Sequence, residues 1–217
     1  MSVSLHDMLF NGAGELGLAL SEQQIERLLL LMLALRKWNR KFNLTAITKE
    51  REIIVKHFLD SLTVASLVAD GACVLDLGSG GGFPSIPLAV VRPDLKVTSV
   101  DASEKKIFFQ RHAVRLLGIE HFTALHARGE SLGAEHSGNY TVVLSRAFSS
   151  LPDFASLARP LLAPDGIIIA MKGRDGDEEA AAAAPVLTEC GLIVREVMQL
   201  RLPVSGDVRS LVVLKAA

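Results

Sequence analysis

The run Asp76-Leu77-Gly78-Ser79-Gly80-Gly81-Gly82-Phe83 and the carboxylate of Asp101, 25 positions after Asp76, have the types and spacing that hold a nucleoside. Cys73 to Leu77 has the length and apolar composition of a buried strand. Gly78, Gly80 and Gly82 follow as a turn without side chains, where a ligand can lie against bare backbone. A second apolar run, Val97 to Val100, delivers Asp101 to a point where its oxygens can accept from two vicinal ribose hydroxyls. Together they describe a nucleoside cofactor held across the carboxyl ends of adjacent parallel strands.

The glycine loop narrows the choice of cofactor. A dinucleotide site reads Gly-x-Gly-x-x-Gly/Ala, with a small third residue that lets a helix approach the pyrophosphate. Counted from Gly78 that position is Phe83; counted from Gly80 it is Ser85, with Pro84 in between. The pattern Asp-x-Gly-x-Gly-x-Gly, Asp76 to Gly82, fits better and resembles the first motif of class I S-adenosylmethionine-dependent methyltransferases. Phe83 suits a site for a sulfonium and an adenine, not a pyrophosphate. The expected cofactor is S-adenosylmethionine.

Three further segments should line the same edge, because ligands of such sheets sit outside the strands' carboxyl ends. Gly129 and Glu130 follow the third strand and could meet the adenine's polar edge, or form an ordinary surface loop. Arg146, directly after the fourth strand, faces the substrate side as a positioning residue or pairs with a carboxylate such as Asp76. Lys172 and Arg174, after the fifth, could contact phosphate. Methylation of an exocyclic base amine typically uses an Asn/Asp-Pro-Pro-aromatic sequence here, whereas this chain has Ser145-Arg146-Ala147-Phe148. Methylation of pyrimidine C5 needs a cysteine nucleophile, and Cys73 and Cys190 stand at a strand start and a helix end. An acceptor with an exposed lone pair, such as guanine N7, needs neither nucleophile nor strong base. In-line displacement then rests on positioning and exclusion of water.

The elements that must hold these residues alternate. Strands are expected near 73–77, 96–100, 122–126, 140–145, 166–171, 192–200 and 208–215, with helices near 85–92, 103–117, 152–162 and 177–190. The stretch 127–136 is ambiguous. Continuous apolar strands between helices predict an α/β fold with a mostly parallel sheet, and the short Pro203–Asp207 turn predicts one antiparallel strand. Ahead of it, Ser21 and Gln24 form a capping-box signature opening a helix with Ile25, Leu28, Leu29, Met32 and Leu35 at helical spacing. Trp38 and Phe42 continue that stripe and are expected in the core rather than as a base-stacking platform. A second helical stretch covers about Glu50 to Leu67. Residues 1–70 thus read as a helical cap on a cofactor-binding domain spanning 71–217, the whole forming one compact unit.

Composition narrows the class. With 217 residues, 49% hydrophobic and 22% charged, the chain is globular. Leu28 to Leu35, its longest apolar stretch, is far short of the ~20 residues of a membrane span. The two cysteines match no metal-ligand spacing, so a reduced, cytoplasmic protein without metal is expected. Net charge is −1, yet between Arg36 and His57 seven basic side chains face two acidic ones. Arg36, Lys37, Arg40 and Lys41 can form either an RNA-binding face or a solvated one.

Trp38-Asn39-Arg40-Lys41-Phe42-Asn43-Leu44-Thr45, His57-Phe58-Leu59-Asp60-Ser61-Leu62, Asp76 to Pro87, Ser145 to Phe148 and Lys172-Gly173 together resemble the bacterial small-subunit ribosomal RNA guanine-N7 methyltransferases, once called glucose-inhibited division protein B. The similarity covers nearly the whole chain. It implies a class I (Rossmann-like) methyltransferase fold behind N-terminal helices, and methylation of one guanine near the decoding centre of small-subunit (16S) rRNA, as RNA or as the 30S subunit. Carried onto this chain, the cofactor contacts are Gly78, Phe83, Gly129, Glu130 and Arg146; the fold logic adds Gly80 and Asp101. No oligomer is required. The alternatives are a small-molecule or protein methyltransferase of the same fold, and a non-catalytic nucleotide-binding module.

Overall fold

The structure, a computed structural model, describes residues 3–146, 148 and 150–217; Ala147 of the segment after the fourth strand lies outside them. Seven strands form one sheet: β1 (Cys73–Leu77), β2 (Lys96–Asp101), β3 (Phe122–His126), β4 (Tyr140–Ser145), β5 (Leu162–Lys172), β6 (Leu192–Arg201) and β7 (Val208–Ala216). Their order is β3-β2-β1-β4-β5-β7-β6. β1 to β5 pair in parallel, and β7 runs antiparallel between β5 and β6, as the short connection before it requires. Chain order reverses beside β1, whose neighbours are β2 and β4, so a crevice opens at its carboxyl end.

β5 starts four residues earlier than the expected 166, because Leu162 pairs with Tyr140 across a register shift ahead of Pro164. Four helices cover the sheet: α5 (Ser85–Val91) and α6 (Glu104–Leu117) on one face, α7 (Leu151–Ala158) and α8 (Gly176–Glu189) on the other. Helix α7 ends at Ala158 and passes through a 3₁₀ turn, Arg159–Leu161, where the sequence predicted helix to 162. The ambiguous stretch 127–136 holds two 3₁₀ turns, Gly129–Ser131 and Ala134–His136.

The N-terminal helices are α1 (Leu5–Glu15), α2 (Glu22–Phe42), α3 (Glu50–Ile53) and α4 (Asp60–Leu62), with a π-helical segment, Ile54–Leu59, between the last two. The Ser21–Gln24 capping box forms as expected. Helix α1 escapes a propensity reading because Gly12 and Gly14 weaken it. Packing demands the first glycine: a Cβ on Gly12 would stand 2.5 Å from Leu59 Cδ1. One apolar cluster runs from Leu9, Ile25 and Leu28 through Phe58 to Phe83, Ile86 and Phe109, so the helices sit on α5 and α6. Each fully buried Leu or Phe there contributes roughly 1.5–3 kcal/mol. The π segment widens one turn, as such bulges often do at functional sites, and carries His57 just ahead of Asp60.

Candidate active site

The glycine loop is shaped by backbone conformation and held by buried polar groups. Gly78, Gly80 and Gly82 have φ of 72°, 60° and 88°, which L side chains rarely adopt. A Cβ on Gly82 would also meet Ile86 Cδ1 at 2.4 Å. Buried Gln110, on α6, donates from Nε2 to Ser79 Oγ at 2.9 Å and Gly80 O at 2.8 Å, while Ser99 Oγ donates to its Oε1 at 2.7 Å. The loop is thus clamped to both α6 and β2.

Asp101 completes the clamp. Its Oδ2 accepts from Gly80 N–H and its Oδ1 from Ser103 N–H, both at 2.8 Å, and Lys106 Nζ lies 4.0 Å away. Each carboxylate oxygen keeps a further lone pair for a ligand hydroxyl. Gly78, Asp101, Ala127, Gly129, Glu130 and Phe148 line a cleft of about 200 Å³ at the ends of β1, β2 and β3. A Cβ on Gly78 would stand 3.9 Å from the Phe148 ring, in the space a nucleoside needs. The bare loop, the carboxylate and this ring suit the adenosine end of S-adenosylmethionine. Asp101→Ala should therefore weaken binding of S-adenosylhomocysteine by about 1–3 kcal/mol. It should also cost stability, by about 1 kcal/mol for each of the two backbone donors left unpaired. Calorimetric titration checks it, and an unchanged dissociation constant would remove Asp101 from the cofactor site.

Asp76, fully buried near the end of β1, accepts from Ser85 N–H at 3.2 Å through Oδ2, and its Oδ1 has no partner among the described residues. Burial pushes its carboxyl up to about 7 against the opposing Ser85 hydrogen bonds.

Beside the loop lies a second constellation around Arg146. The guanidinium donates from Nη1 to Lys56 O at 3.0 Å and Asp60 Oδ2 at 3.2 Å, and from Nη2 to His57 Nδ1 at 3.3 Å. The carboxylate partner is Asp60, not Asp76. Asp60 Oδ1 accepts in turn from Arg209 Nε on β7 at 2.9 Å. The His57 ring stacks on Phe83, centroids 4.4 Å apart and 9° from parallel, and the Arg146 guanidinium lies 5.7 Å from the Phe83 centroid. Burial, then the charge of Arg146, pushes the His57 imidazole down to about 3, so it is neutral. Arginine only donates, so Nδ1 accepts and the proton sits on Nε2, facing Thr45 Oγ1 at 2.9 Å. Asn39 on α2 locks Thr45 by two backbone hydrogen bonds of 2.9 Å each. A polar chain therefore runs from α2 through Thr45 and His57 to Arg146.

The expected site residues fall into groups. Gly78, Asp101, Gly129 and Glu130 meet in the cleft, and Gly80 binds Asp101 from the loop. Phe83 and Arg146 sit in the neighbouring constellation, with Phe83 buried beneath His57. Lys172 is paired with Glu179 at 2.7 Å and 12% exposed, whereas Arg174 is open to solvent. Arg36 is paired with Glu50; Lys37, Arg40 and Lys41 are exposed. Trp38 meets the core expectation in part, half-buried against the main apolar cluster with its ring 5.8 Å from that of buried Phe109, whereas Phe42, the last residue of α2, departs from it at 39% exposed. His57 and Asp60 were visible only as parts of a motif, and Arg209 was missed. Its signal was a cation inside the strand-like, mostly apolar run Val208–Leu214.

Sheet order, glycine loop and β2 carboxylate define a class I S-adenosylmethionine-dependent methyltransferase. The structure of M. jannaschii TYW2 in complex with AdoMet shares the fold, with a TM-score of 0.60 and 13% identity over 73% of this chain and 75% of that one. Sequence then singles out the family. The family model described as rRNA small subunit methyltransferase G (GidB) matches residues 24–207. A protein named ribosomal RNA small subunit methyltransferase G from Geobacter metallireducens is 51% identical over 214 residues, 99% of this chain and 97% of its own. Its namesake from Geobacter sulfurreducens is 55% identical over 205 residues, 94% of each chain. The chain belongs to the GidB family of rRNA small subunit methyltransferases.

Proposed function

We propose that the chain transfers a methyl group from S-adenosylmethionine to N7 of a guanine in small-subunit rRNA. The observation that carries the choice of acceptor atom is the His57 imidazole, neutral and with both nitrogens engaged. It is tied into the fold instead of waiting for a proton. Guanine N7 carries an in-plane lone pair and no proton, so it needs no base. Bound S-adenosylmethionine supplies an electrophilic methyl on a sulfonium. As the N–C bond forms the C–S bond breaks, its electron pair stays on sulfur, and the positive charge passes to the guanine ring. The chain's contribution is to position the two reactants and keep water out. Asp60 fixes Arg146 beside the loop and, sharing its carboxylate with Arg209, offsets part of the guanidinium's charge, so the held guanidinium can orient an acceptor.

Exposed Lys37, Arg40, Lys41 and Arg174 supply cations for RNA phosphates, and Arg36 and Lys172 join them if RNA displaces their carboxylate partners. The substrate is rRNA or the 30S subunit, and the site of action the cytoplasm. Among the described residues no helix is long and apolar enough to cross a membrane, and no cluster of His, Cys, Asp and Glu could hold a metal. One chain supplies both cleft and constellation, so no second copy is needed. The test is methyl transfer from labelled S-adenosylmethionine to 16S rRNA, naked and within the 30S subunit, followed by nucleoside analysis. Label should appear in 7-methylguanosine. Label in another nucleoside would overturn the choice of N7, and no label in RNA would overturn the substrate.

A further inference from the structure

At the C-terminal end of α2 the apolar stripe comes to the surface beside α6. Trp38, Phe42 and Phe108 form an apolar floor there, with Phe42 39% and Phe108 49% exposed. The Trp38 ring lies 5.3 Å from that of Phe42 and 5.1 Å from that of His112, so the aromatic surface is continuous. Lys105, Arg111 and Arg115 rim a groove of about 460 Å³, and all three are exposed. Arg111 is fixed in place, its Nε and Nη2 donating to Ala124 O at 3.1 and 2.9 Å. Lys37, Arg40 and Lys41 extend the basic surface along α2, and Glu104 is the acidic residue at the start of α6. The groove runs along α6 to Arg115 from Lys105, whose neighbour Lys106 has its Nζ 4.0 Å from Asp101.

Exposed rings ringed by cations are poorly matched to an apolar protein partner or to lipid tails. They match a single-stranded nucleic acid, whose bases stack on aromatic faces while flanking phosphates meet the rim. We infer that this groove between α2 and α6 takes an unpaired base of the rRNA substrate, stacked against Trp38, Phe42 and Phe108, with adjacent phosphates on Lys105 and Arg115. The inference rests on the rRNA reading and adds to it a grip outside the cofactor cleft. A folded duplex keeps its bases stacked on each other and cannot use such a floor.

Trp38 is the chain's single tryptophan, so its fluorescence reports the groove directly. The full chain, saturated with S-adenosylhomocysteine, is titrated with a short oligoadenylate and with the duplex that this forms with oligouridylate. Single strand should quench Trp38 emission and duplex should not. Phe42→Ala with Phe108→Ala, both at exposed positions, should weaken oligoadenylate binding by roughly 5- to 150-fold, the usual effect of losing one base–aromatic stack. Methylation of naked 16S rRNA should fall at limiting RNA, and affinity for S-adenosylhomocysteine should stay within twofold of wild type. Equal quenching by duplex, or a double variant that binds and methylates naked rRNA like wild type, would overturn the inference. A defect seen only on whole 30S subunits would also overturn it, by assigning the groove to a ribosomal protein. Failure of the rRNA reading is distinguishable, since the wild-type chain itself would then transfer no methyl group to RNA.

Discussion

Asp60→Ala is expected to lower stability by about 3 kcal/mol and to reduce methyl transfer at least tenfold. Asp60 is 4% exposed and holds Arg146 through one oxygen and Arg209 through the other, at 3.2 and 2.9 Å. It pins three distant parts of the chain together: the N-terminal helices, the end of β4 and the antiparallel strand β7. Without the carboxylate, two guanidiniums face each other across a partly dry gap. Breaking a buried pair by removing one partner costs roughly 3–5 kcal/mol. The two arginine side chains are 22% and 26% exposed, so water takes up part of that loss and the lower end applies. For a chain of this size the melting temperature should fall by roughly 6–12 °C. Turnover should fall further than stability explains, because Arg146 would no longer be held beside Phe83 and the loop. Asp60→Asn separates the two effects, since it keeps the shape and an acceptor and loses the charge. It should fold, bind S-adenosylhomocysteine normally and still transfer methyl slowly. A melting temperature within two degrees of wild type for Asp60→Ala, roughly half a kcal/mol, would show that the pairing is incidental.

How much of this was legible in the sequence depended on the range of the interactions. The glycine loop and Asp101 could be read because a turn without side chains and a strand-end carboxylate are local features, each set by a few consecutive residues. Strand boundaries followed for the same reason, except at β5, where pairing with Tyr140 extends the strand back past Pro164. The constellation around Arg146 was not legible. Asp60 and Arg209 are 149 positions apart, and β7 reaches Asp60 only because it inserts between β5 and β6. Periodicity also misplaced Phe42. A helical stripe shows which residues share a face, and says nothing of where the covering element stops.

Asp76→Asn and His57→Gln should change the pH dependence of stability in opposite senses. Burial raises Asp76 from 3.8 to about 7, so between those values the folded chain keeps a proton that the unfolded chain releases. Its contribution is therefore present at low pH and lost as pH rises through about 7. His57 is lowered from 6.5 to about 3, so in that interval the unfolded chain binds a proton that the folded chain refuses. Its contribution is complete above pH 6.5 and lost as pH falls toward 3. The two windows overlap from 3.8 to 6.5, where one group's proton uptake offsets the other's and the wild-type dependence from this pair is nearly flat. Each group alone has a slope of about 1.4 kcal/mol per pH unit where it is fully unmatched. Denaturant unfolding of the cofactor-free proteins at a series of pH values isolates them, because all other groups cancel in the difference from wild type. Relative to wild type, Asp76→Asn should gain stability as pH rises from 4 to 7, and His57→Gln as pH falls from 6.5 to 4. Asparagine preserves the acceptor for Ser85 N–H, so the Asp76→Asn curve stands even if glutamine packs poorly on Phe83. Difference curves that stay flat across this range would mean that both groups titrate as they do in the unfolded chain. His57 would then titrate near 6.5 and could take up a proton near neutral pH, and the reading of a base-free methyl transfer would lose the observation that carries it.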